Sequence, residues 1–429
     1  MIDSKSVLVG RKIMAISAVV MVGMLCISLV GMHAAFAVGL VGCFLARPSL
    51  HRLPGFWFGV AFAVWQLLGA TVITYQQSHN ALWHNKHGAA FTWLAGYVFI
   101  AAFADVGVRK WALRIGLVAV IASVTLALLQ FIIGYGGARP WRISASGSRY
   151  STTSGFMPLS LSQGFILAQI SLLFLIGKNE MQTSAWVRAC GWLISVGAAF
   201  IAGSRSGFLA IILATTAFFG SGKWSWWRLV GTTTCASLLL ISVSWWMRSY
   251  TPGKLDAMLA GQDARWTIYH VASVMIGERP WFGAGPNGGY SRESDIILPR
   301  LYPDGTQNFL MATPDAHNIL LGLASEHGVP ALILFLLMLA AILLHLYRRR
   351  EHNPYGWRIG CGAIAALMVA AQFENYAGHS ATSYAFFTVL AMAIALDRAH
   401  MEELGLLSVA IPDQPVSPVS VDPSITTSS

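Results

Sequence analysis

Apolar stretches of about twenty residues alternate with short polar segments along most of the chain. A helix of that length crosses roughly 30 Å of hydrocarbon, whereas membrane β-strands would show apolar and polar residues in alternation. The pattern therefore predicts an all-α polytopic membrane protein. Twelve spans are predicted, at residues 13–30, 34–46, 53–75, 90–107, 115–134, 157–177, 186–203, 207–221, 227–246, 329–347, 359–377 and 383–397.

The longest polar stretch, residues 247–328, interrupts this pattern before the tenth span. We predict that it forms one large extracytoplasmic loop that contains short helices. The chain then divides into nine spans over residues 1–246, this loop, three spans over residues 329–397, and a disordered cytoplasmic tail over residues 398–429.

Composition and charge agree with a membrane protein. Of the 429 residues, 55% are hydrophobic and 11% are charged, which leaves too few charges to cover a soluble globule of this size. Arg109, Lys110 and the arginines of residues 348–350 flank predicted spans on the side that positive charge marks as cytoplasmic. Both termini are therefore predicted to be cytoplasmic. The net charge of +10 forms no long basic run, so nucleic acid is not an expected partner.

Arg205 lies between two apolar runs, in the small-residue segment 203–207. This position puts its charge at or just inside the outer membrane boundary, where a charge is costly and usually functional. We interpret Arg205 as part of an anion site. The alternative is an arginine that extends to the lipid headgroups.

Arg265 falls in the first turn of a predicted helix that runs from Ala264 to about Met275, with Asp263 as its cap. Positive side chains are unfavourable at a helix N-terminus unless an anion binds there. The guanidinium group pairs well with phosphate, so Arg265 is a second anion candidate. The alternative is an ion pair with a nearby aspartate.

His317 follows Asp315 at the end of the polar stretch. Imidazole is the side chain best matched to proton transfer near neutral pH, so His317 is the candidate general base, with His327 as its rival. Asp315 or Asn318 would orient its ring. The carboxylates of the loop are dispersed, and no metal site is predicted.

Three short motifs surround these candidates. They are Ser204-Arg205-Ser206-Gly207, then Arg265 followed by Pro280-Trp281-Phe282-Gly283-Ala284-Gly285, and His317-Asn318 followed after nine residues by Gly328. Together they resemble the O-antigen ligase family, whose shared region also covers O-antigen polymerases and bacterial O-oligosaccharyltransferases. The resemblance extends over about residues 140–400, with Ala331 where the family pattern has a second glycine.

The resemblance implies a GT-C-like membrane glycosyltransferase that is inverting, needs no metal or cofactor, and acts in lipopolysaccharide biosynthesis. The expected donor is O-antigen on undecaprenyl pyrophosphate, and the expected acceptor is the lipid A-core, at the periplasmic face of the bacterial inner membrane. Arg205 and Arg265 would then bind pyrophosphate and His317 would be catalytic. Asn318 and the loop arginines Arg142 and Arg149 are expected substrate contacts.

Three other functions remain open at this stage. An O-antigen polymerase would use the same donor with another lipid-linked glycan as acceptor. A protein O-glycosylating ligase is expected to be longer, with a further C-terminal domain. A lipid-linked glycan transporter would carry polar residues near the bilayer midplane, whereas here, apart from Glu374 within the eleventh predicted span, the charges cluster at the membrane faces.

Overall fold

A computed structural model describes residues 4–77, 91–133, 163–201, 205–222, 264–285, 289–303, 316–370, 372 and 380–406. These residues form sixteen α-helices and no β-strand, which confirms the all-α prediction. The helices are α1 (Ser4–Met24), α2 (Leu29–Ala46), α3 (Phe56–Gln77), α4 (Thr92–Phe103), α5 (Val106–Ile133), α6 (Gln163–Leu173), α7 (Lys178–Met181), α8 (Ala185–Ile201), α9 (Arg205–Gly220), α10 (Ala264–Glu278), α11 (Gly289–Leu301), α12 (Ile319–His327), α13 (Val329–Arg348), α14 (Pro354–Ala370), α15 (Ser380–Ala395) and α16 (Arg398–Glu403).

Four helices in the described ranges are long and apolar enough to cross a membrane, namely α1, α2, α3 and α13. Several other apolar helices are shorter. The prediction of a helical membrane protein is therefore supported, while the count of twelve spans and the GT-C-like architecture stay predictions. The predicted ninth span, residues 227–246, lies outside the described residues.

The break between the first two helices differs from the prediction. Helix α1 ends at Met24 and α2 begins at Leu29, so the segment 31–33, which was predicted as the turn, is helical. Ser28 decides the position, because its side chain accepts a hydrogen bond from Gly31 N (3.1 Å) and so caps α2. The periodicity of the apolar run does not mark this break.

The boundary between α4 and α5 also differs from the prediction. Helix α5 begins at Val106 and not near residue 115, because the Asp105 carboxylate accepts a hydrogen bond from Gly107 N (2.6 Å) and caps it. Arg109 is therefore helical, and it folds back to donate to the carbonyl oxygens of Phe103 (2.6 Å) and Ala104 (3.0 Å). These bonds satisfy acceptors at the end of α4.

Residues 398–403, which were predicted to belong to a disordered tail, are helical. Arg398–Glu403 forms α16, whose first turn is capped by the Asp397 side chain through His400 N (3.1 Å). Met401 is fully buried, and Arg349 on the neighbouring connection pairs with Glu403 at 2.6 Å. Residues 407–429 lie outside the described residues.

The polar groups collect at two opposite ends of the helix bundle. Helices α3 and α13 run antiparallel. A Cβ atom on Gly55, just before α3, would lie 2.9 Å from Met338 O in α13. Trp65, further along α3, donates to His327 O (3.2 Å), which lies just before the start of α13. The end that holds Arg349 also brings Arg11 to Gly405 O (3.4 Å). The termini of the described chain and the arginine-rich connections thus lie at the end away from His327.

Candidate functional site

Helices α10, α11 and α12 pack around a small apolar cluster of their own. Helix α10 begins at Ala264, as predicted, and continues three residues past the expected end at Met275. The Tyr290 hydroxyl donates to Ile268 O (2.9 Å) and ties α11 to α10. The buried members of the cluster are Ile268, Val271, Ala272, Met275, Ala284, Tyr290, Ile297, Leu298 and Ala316. The described part of the polar stretch therefore contains a folded unit built from short helices.

Two arginines of this unit, Arg279 and Arg300, form ion pairs with neighbouring carboxylates. Arg279 pairs with the buried Glu293 carboxylate at 3.0 Å. The exposed pair Arg300–Glu278 has its closest atoms 2.9 Å apart. These contacts explain why not every arginine in the stretch needs a ligand.

Two predicted anion-binding arginines stand at helix N-termini. Arg265 is the second residue of α10 and is half-buried, and Arg205 is the first residue of α9, although its side chain lies outside the described part. Free amide groups at such positions favour an anion. Arg142 and Arg149 lie outside the described residues, so their predicted role is not tested.

Two motif segments, residues 280–285 and 325–329, bind each other through their backbones. The hydrogen bonds run from Ala284 N to Ser325 O (2.7 Å), from Gly285 N to Glu326 O (2.9 Å) and from Val329 N to Pro280 O (2.8 Å). The loop after α10 is thereby fixed to the end of the helix that follows His317. We call this contact the glycine junction.

Two glycines make the junction possible. Gly283 and Gly328 have positive φ angles of 66° and 85°. A Cβ atom on Gly328 would lie 1.8 Å from Trp281 O, and one on Gly283 would lie 2.6 Å from Ser325 O. No larger residue fits either place without a backbone shift, because both the torsion and the space exclude it.

Trp65 on α3 closes the glycine junction from the bundle side. Its indole N–H lies 3.2 Å from His327 O and 3.3 Å from Trp281 O, and its ring stacks on Phe282 with centroids 5.0 Å apart. One side chain thus contacts both halves of the junction. Sequence reasoning missed Trp65, because it is one aromatic residue inside an apolar span.

His317 occupies a constrained turn immediately before α12. Its φ angle is +45°, which is uncommon for a residue with a side chain. The next residue, Asn318, caps α12, because its Oδ1 atom accepts hydrogen bonds from Leu320 N (2.9 Å) and Leu321 N (3.0 Å). The cap fixes the residue at which α12 begins and therefore the position of His317 directly before it.

Gln372, just after α14, joins the His317 turn to α10, the helix that carries Arg265. Asn318 Nδ2 donates to Gln372 Oε1 (3.1 Å), and the Tyr269 hydroxyl donates to Gln372 O (2.5 Å). Tyr269 lies one turn after Arg265 on α10, so the two share a face of that helix. The structure thus brings the Arg265 face and the His317 turn to one place. Sequence reasoning missed Gln372; its only signal was a polar residue near the end of an apolar run.

Asn318 is only 5% exposed, and both ends of its amide are engaged. These contacts are those of a structural cap. A direct contact between Asn318 and substrate stays a prediction. Asp315, the other candidate to orient the His317 ring, lies outside the described residues.

His327, the rival candidate base, ends α12 at the glycine junction. Burial lowers its pKa to about 4, so the ring is neutral and weakly basic near pH 7. A general base works best with a pKa near the working pH. The lowered pKa therefore argues against His327 as the base, and the role of His317 stays a prediction.

An aromatic cavity of about 40 Å³ lies beside the start of α12. Ile319 and Leu323 line it from α12, and Gln66 and Trp93 bring two buried polar atoms, Oε1 and Nε1, that have no partner within the described ranges. Its aromatic lining residues are Phe62, Trp93, Phe165, Phe335, Phe386 and Phe387.

Residues 190–336 match the O-antigen ligase family. This match confirms the resemblance predicted from the motifs, over a narrower range than the expected 140–400. No curated protein matches the chain. The match contains Arg205, Arg265 and His317, together with both halves of the glycine junction.

The O-antigen ligase region does not include every residue that builds the site. Trp65 and Gln372 both lie outside residues 190–336, yet they contact the glycine junction and the His317 turn. Within the described part of the chain, no group of three or more His, Cys, Asp or Glu residues is arranged to hold a metal ion. Independence from metal stays a prediction.

We predict that Gly283→Ala and Gly328→Ala each destabilise the protein more than Gly405→Ala does. Gly405 also has a positive φ (+66°), but a Cβ atom there meets nothing within 4 Å, so it isolates the torsional cost. The additional clash should cost a further 1–3 kcal/mol, roughly. Thermal unfolding in detergent measures the difference. Equal unfolding temperatures for the three variants would show that the junction is not tightly packed.

A second prediction concerns the pH dependence of stability. The unfolded chain protonates His327 near its ordinary pKa of 6.5, whereas the folded protein does so only near 4, so this residue makes stability fall as the pH drops between these values. His327→Gln should remove that contribution, which is at most about 3 kcal/mol. Unfolding of both proteins at pH 7, 5.5 and 4 gives the comparison. Parallel pH profiles would contradict the burial of a neutral imidazole.

Proposed function

We propose that this protein is an O-antigen ligase, an enzyme that transfers O-antigen polysaccharide from undecaprenyl pyrophosphate to the lipid A-core oligosaccharide. The observation that carries the proposal is that the family match, residues 190–336, contains both the Arg265 helix and the His317 turn. These two elements meet at Gln372. In this proposal, Arg265 supplies a cation for a phosphate leaving group, and His317 supplies a base for a hydroxyl.

In the proposed mechanism, His317 is the general base. It takes the proton of the acceptor hydroxyl while that oxygen attacks the anomeric carbon on the face opposite the pyrophosphate. A glycosidic bond forms, the bond from the anomeric carbon to the phosphate oxygen breaks, and the pyrophosphate leaves with the electron pair. The configuration inverts, since attack and departure occur on opposite faces.

Arg205 and Arg265 are proposed to neutralise the leaving pyrophosphate. Both stand at a helix N-terminus, where amide groups add to the positive potential. With two guanidinium groups for the charge, the scheme uses no metal and no cofactor. Arg142 and Arg149 are proposed to hold the acidic donor or the phosphorylated acceptor, without a part in the chemistry.

A lipid-linked donor needs an apolar surface next to the catalytic histidine. The aromatic cavity supplies one, because Ile319, which lines it, is two residues from His317. We propose that an isoprenoid segment of the donor packs against this lining. The proposal uses shape and polarity only, since aromatic walls suit an unsaturated hydrocarbon chain.

The proposed setting is the bacterial inner membrane, with twelve spans in a GT-C-like bundle, both termini in the cytoplasm and the site facing the periplasm. The separation of charge supports it: Arg11 and Arg349 lie at the end of the bundle away from the glycine junction. Positive charge in short connections marks the cytoplasmic side.

An O-antigen polymerase is the first alternative, since its donor chemistry is the same, and a lipid-linked glycan transporter is the second. A strain that lacks this protein decides between ligase and polymerase. Loss of a ligase leaves full-length polymer on the carrier lipid, whereas loss of a polymerase leaves only single repeat units.

We predict that His317→Ala nearly abolishes transfer, by about 10² to 10⁴-fold, while donor binding remains measurable. The assay uses purified donor and acceptor in EDTA, which also tests metal independence. His270→Ala is the matched control, because His270 lies exposed on α10 in the same folded unit, with its Nδ1 atom 3.1 Å from the Tyr302 hydroxyl. A fully active His317→Ala variant, or a wild-type enzyme that requires Mg²⁺, would contradict the mechanism.

We also predict that Arg265→Lys lowers kcat/KM for the donor by roughly ten- to a hundredfold. Lysine keeps the charge but loses the two-pronged contact with phosphate, a loss of about 1.5–3 kcal/mol. Arg205→Lys should lower kcat/KM for the donor by a similar factor. Arg300→Lys serves as the control, because Arg300 forms only an exposed pair with Glu278. Wild-type kinetics in both Arg265→Lys and Arg205→Lys would exclude the pyrophosphate role.

A further inference from the structure

Gln372 receives hydrogen bonds from both parts of the proposed site, one through its side chain and one through its backbone. We propose that Gln372 is a positioning residue for His317, which holds the Asn318 amide and so fixes the turn that aims the imidazole. This inference rests on the proposed function. It adds a residue outside the family match, 54 positions beyond Asn318.

The His317 turn needs external support. A positive φ at a residue with a side chain is strained, and such strain persists only where the surroundings enforce it. Asn318 holds one side of the turn, since its Oδ1 atom accepts hydrogen bonds from two backbone amides of α12. The rest of the same amide, Nδ2, is part-buried and must also find a partner.

Gln372 Oε1 is that partner, at 3.1 Å. Without this acceptor, the part-buried Nδ2 group loses its protein partner, and the Asn318 side chain gains by rotating to reach another acceptor. Rotation would withdraw Oδ1 from the helix amides and release the His317 turn. The hydrogen bond to Gln372 therefore acts on His317 through the cap.

The backbone of Gln372 is held independently of its side chain. Gln372 N donates to Val369 O (3.1 Å) at the end of α14, and the Tyr269 hydroxyl donates to Gln372 O. Substitution of the glutamine side chain leaves both contacts in place. The link to α10, and so to Arg265, can be separated from the link to Asn318.

The amide chemistry gives a sharp test. In Gln372→Glu, the carboxylate still accepts from Asn318 Nδ2. In Asn318→Asp, the cap is kept, because aspartate is a good N-cap, and Gln372 can turn its amide to donate through Nε2. The double variant Asn318→Asp with Gln372→Glu puts two carboxylates together with no proton donor between them.

We expect Gln372→Glu to keep kcat within about threefold of wild type, and the double variant to fall at least tenfold, roughly, below the product of the two single variants. Gln372→Leu, which has no acceptor, should lose roughly ten- to a hundredfold in kcat with little change in donor KM. The split between kcat and KM separates positioning from binding. Unfolding temperatures of all variants in detergent separate it from general destabilisation.

The same assay includes wild type and His317→Ala. Wild-type kcat in Gln372→Leu, or additive effects in the double variant, alongside an inactive His317→Ala would overturn this inference and leave the proposed function intact. Full activity of His317→Ala would instead remove the proposed function and the inference together.

Discussion

The glycine junction is the contact on which the rest of the site depends. Two segments separated by about forty residues along the chain approach at backbone distance, and they do so only because Gly283 and Gly328 have no Cβ atom and adopt positive φ. The loop after α10 is thereby locked to the end of α12. Trp65 then attaches the locked unit to the membrane helices through one indole N–H and one stacked ring. Rigid placement of the polar unit on the bundle follows from these few contacts.

A second layer of order comes from helix caps and not from helix interiors. Ser28, Asp105, Asn318 and Asp397 each accept hydrogen bonds from free amides and set where a helix begins. In apolar stretches, hydrophobicity says little about boundaries, because every residue suits the membrane equally well. Caps therefore determine at which residue each of these helices begins, and the cap of α12 also determines the position of His317.

The two ends of the bundle have different chemistry. At one end, arginines bind helix carbonyls and carboxylates, as Arg109 does with Phe103 O and Arg349 does with Glu403. At the other end, the polar groups surround the His317 turn and border an aromatic cavity. Such a division suits an enzyme with its site at one membrane face, in which lipid-linked and polar parts of a substrate meet.

The sequence by itself determined the helical class, the start of α10 at Ala264, the candidate residues Arg205, Arg265 and His317, and the family resemblance. These depend on local composition, on apolar runs and on short motifs. Only the tertiary structure revealed Trp65 and Gln372, placed the breaks before α2 and α5, and showed α16 within the predicted tail. The reason is physical: Trp65 acts on a carbonyl 262 positions away and Gln372 on an amide 54 positions away. Apolar runs specify that a helix is buried, but not which distant backbone atom its one polar side chain will meet.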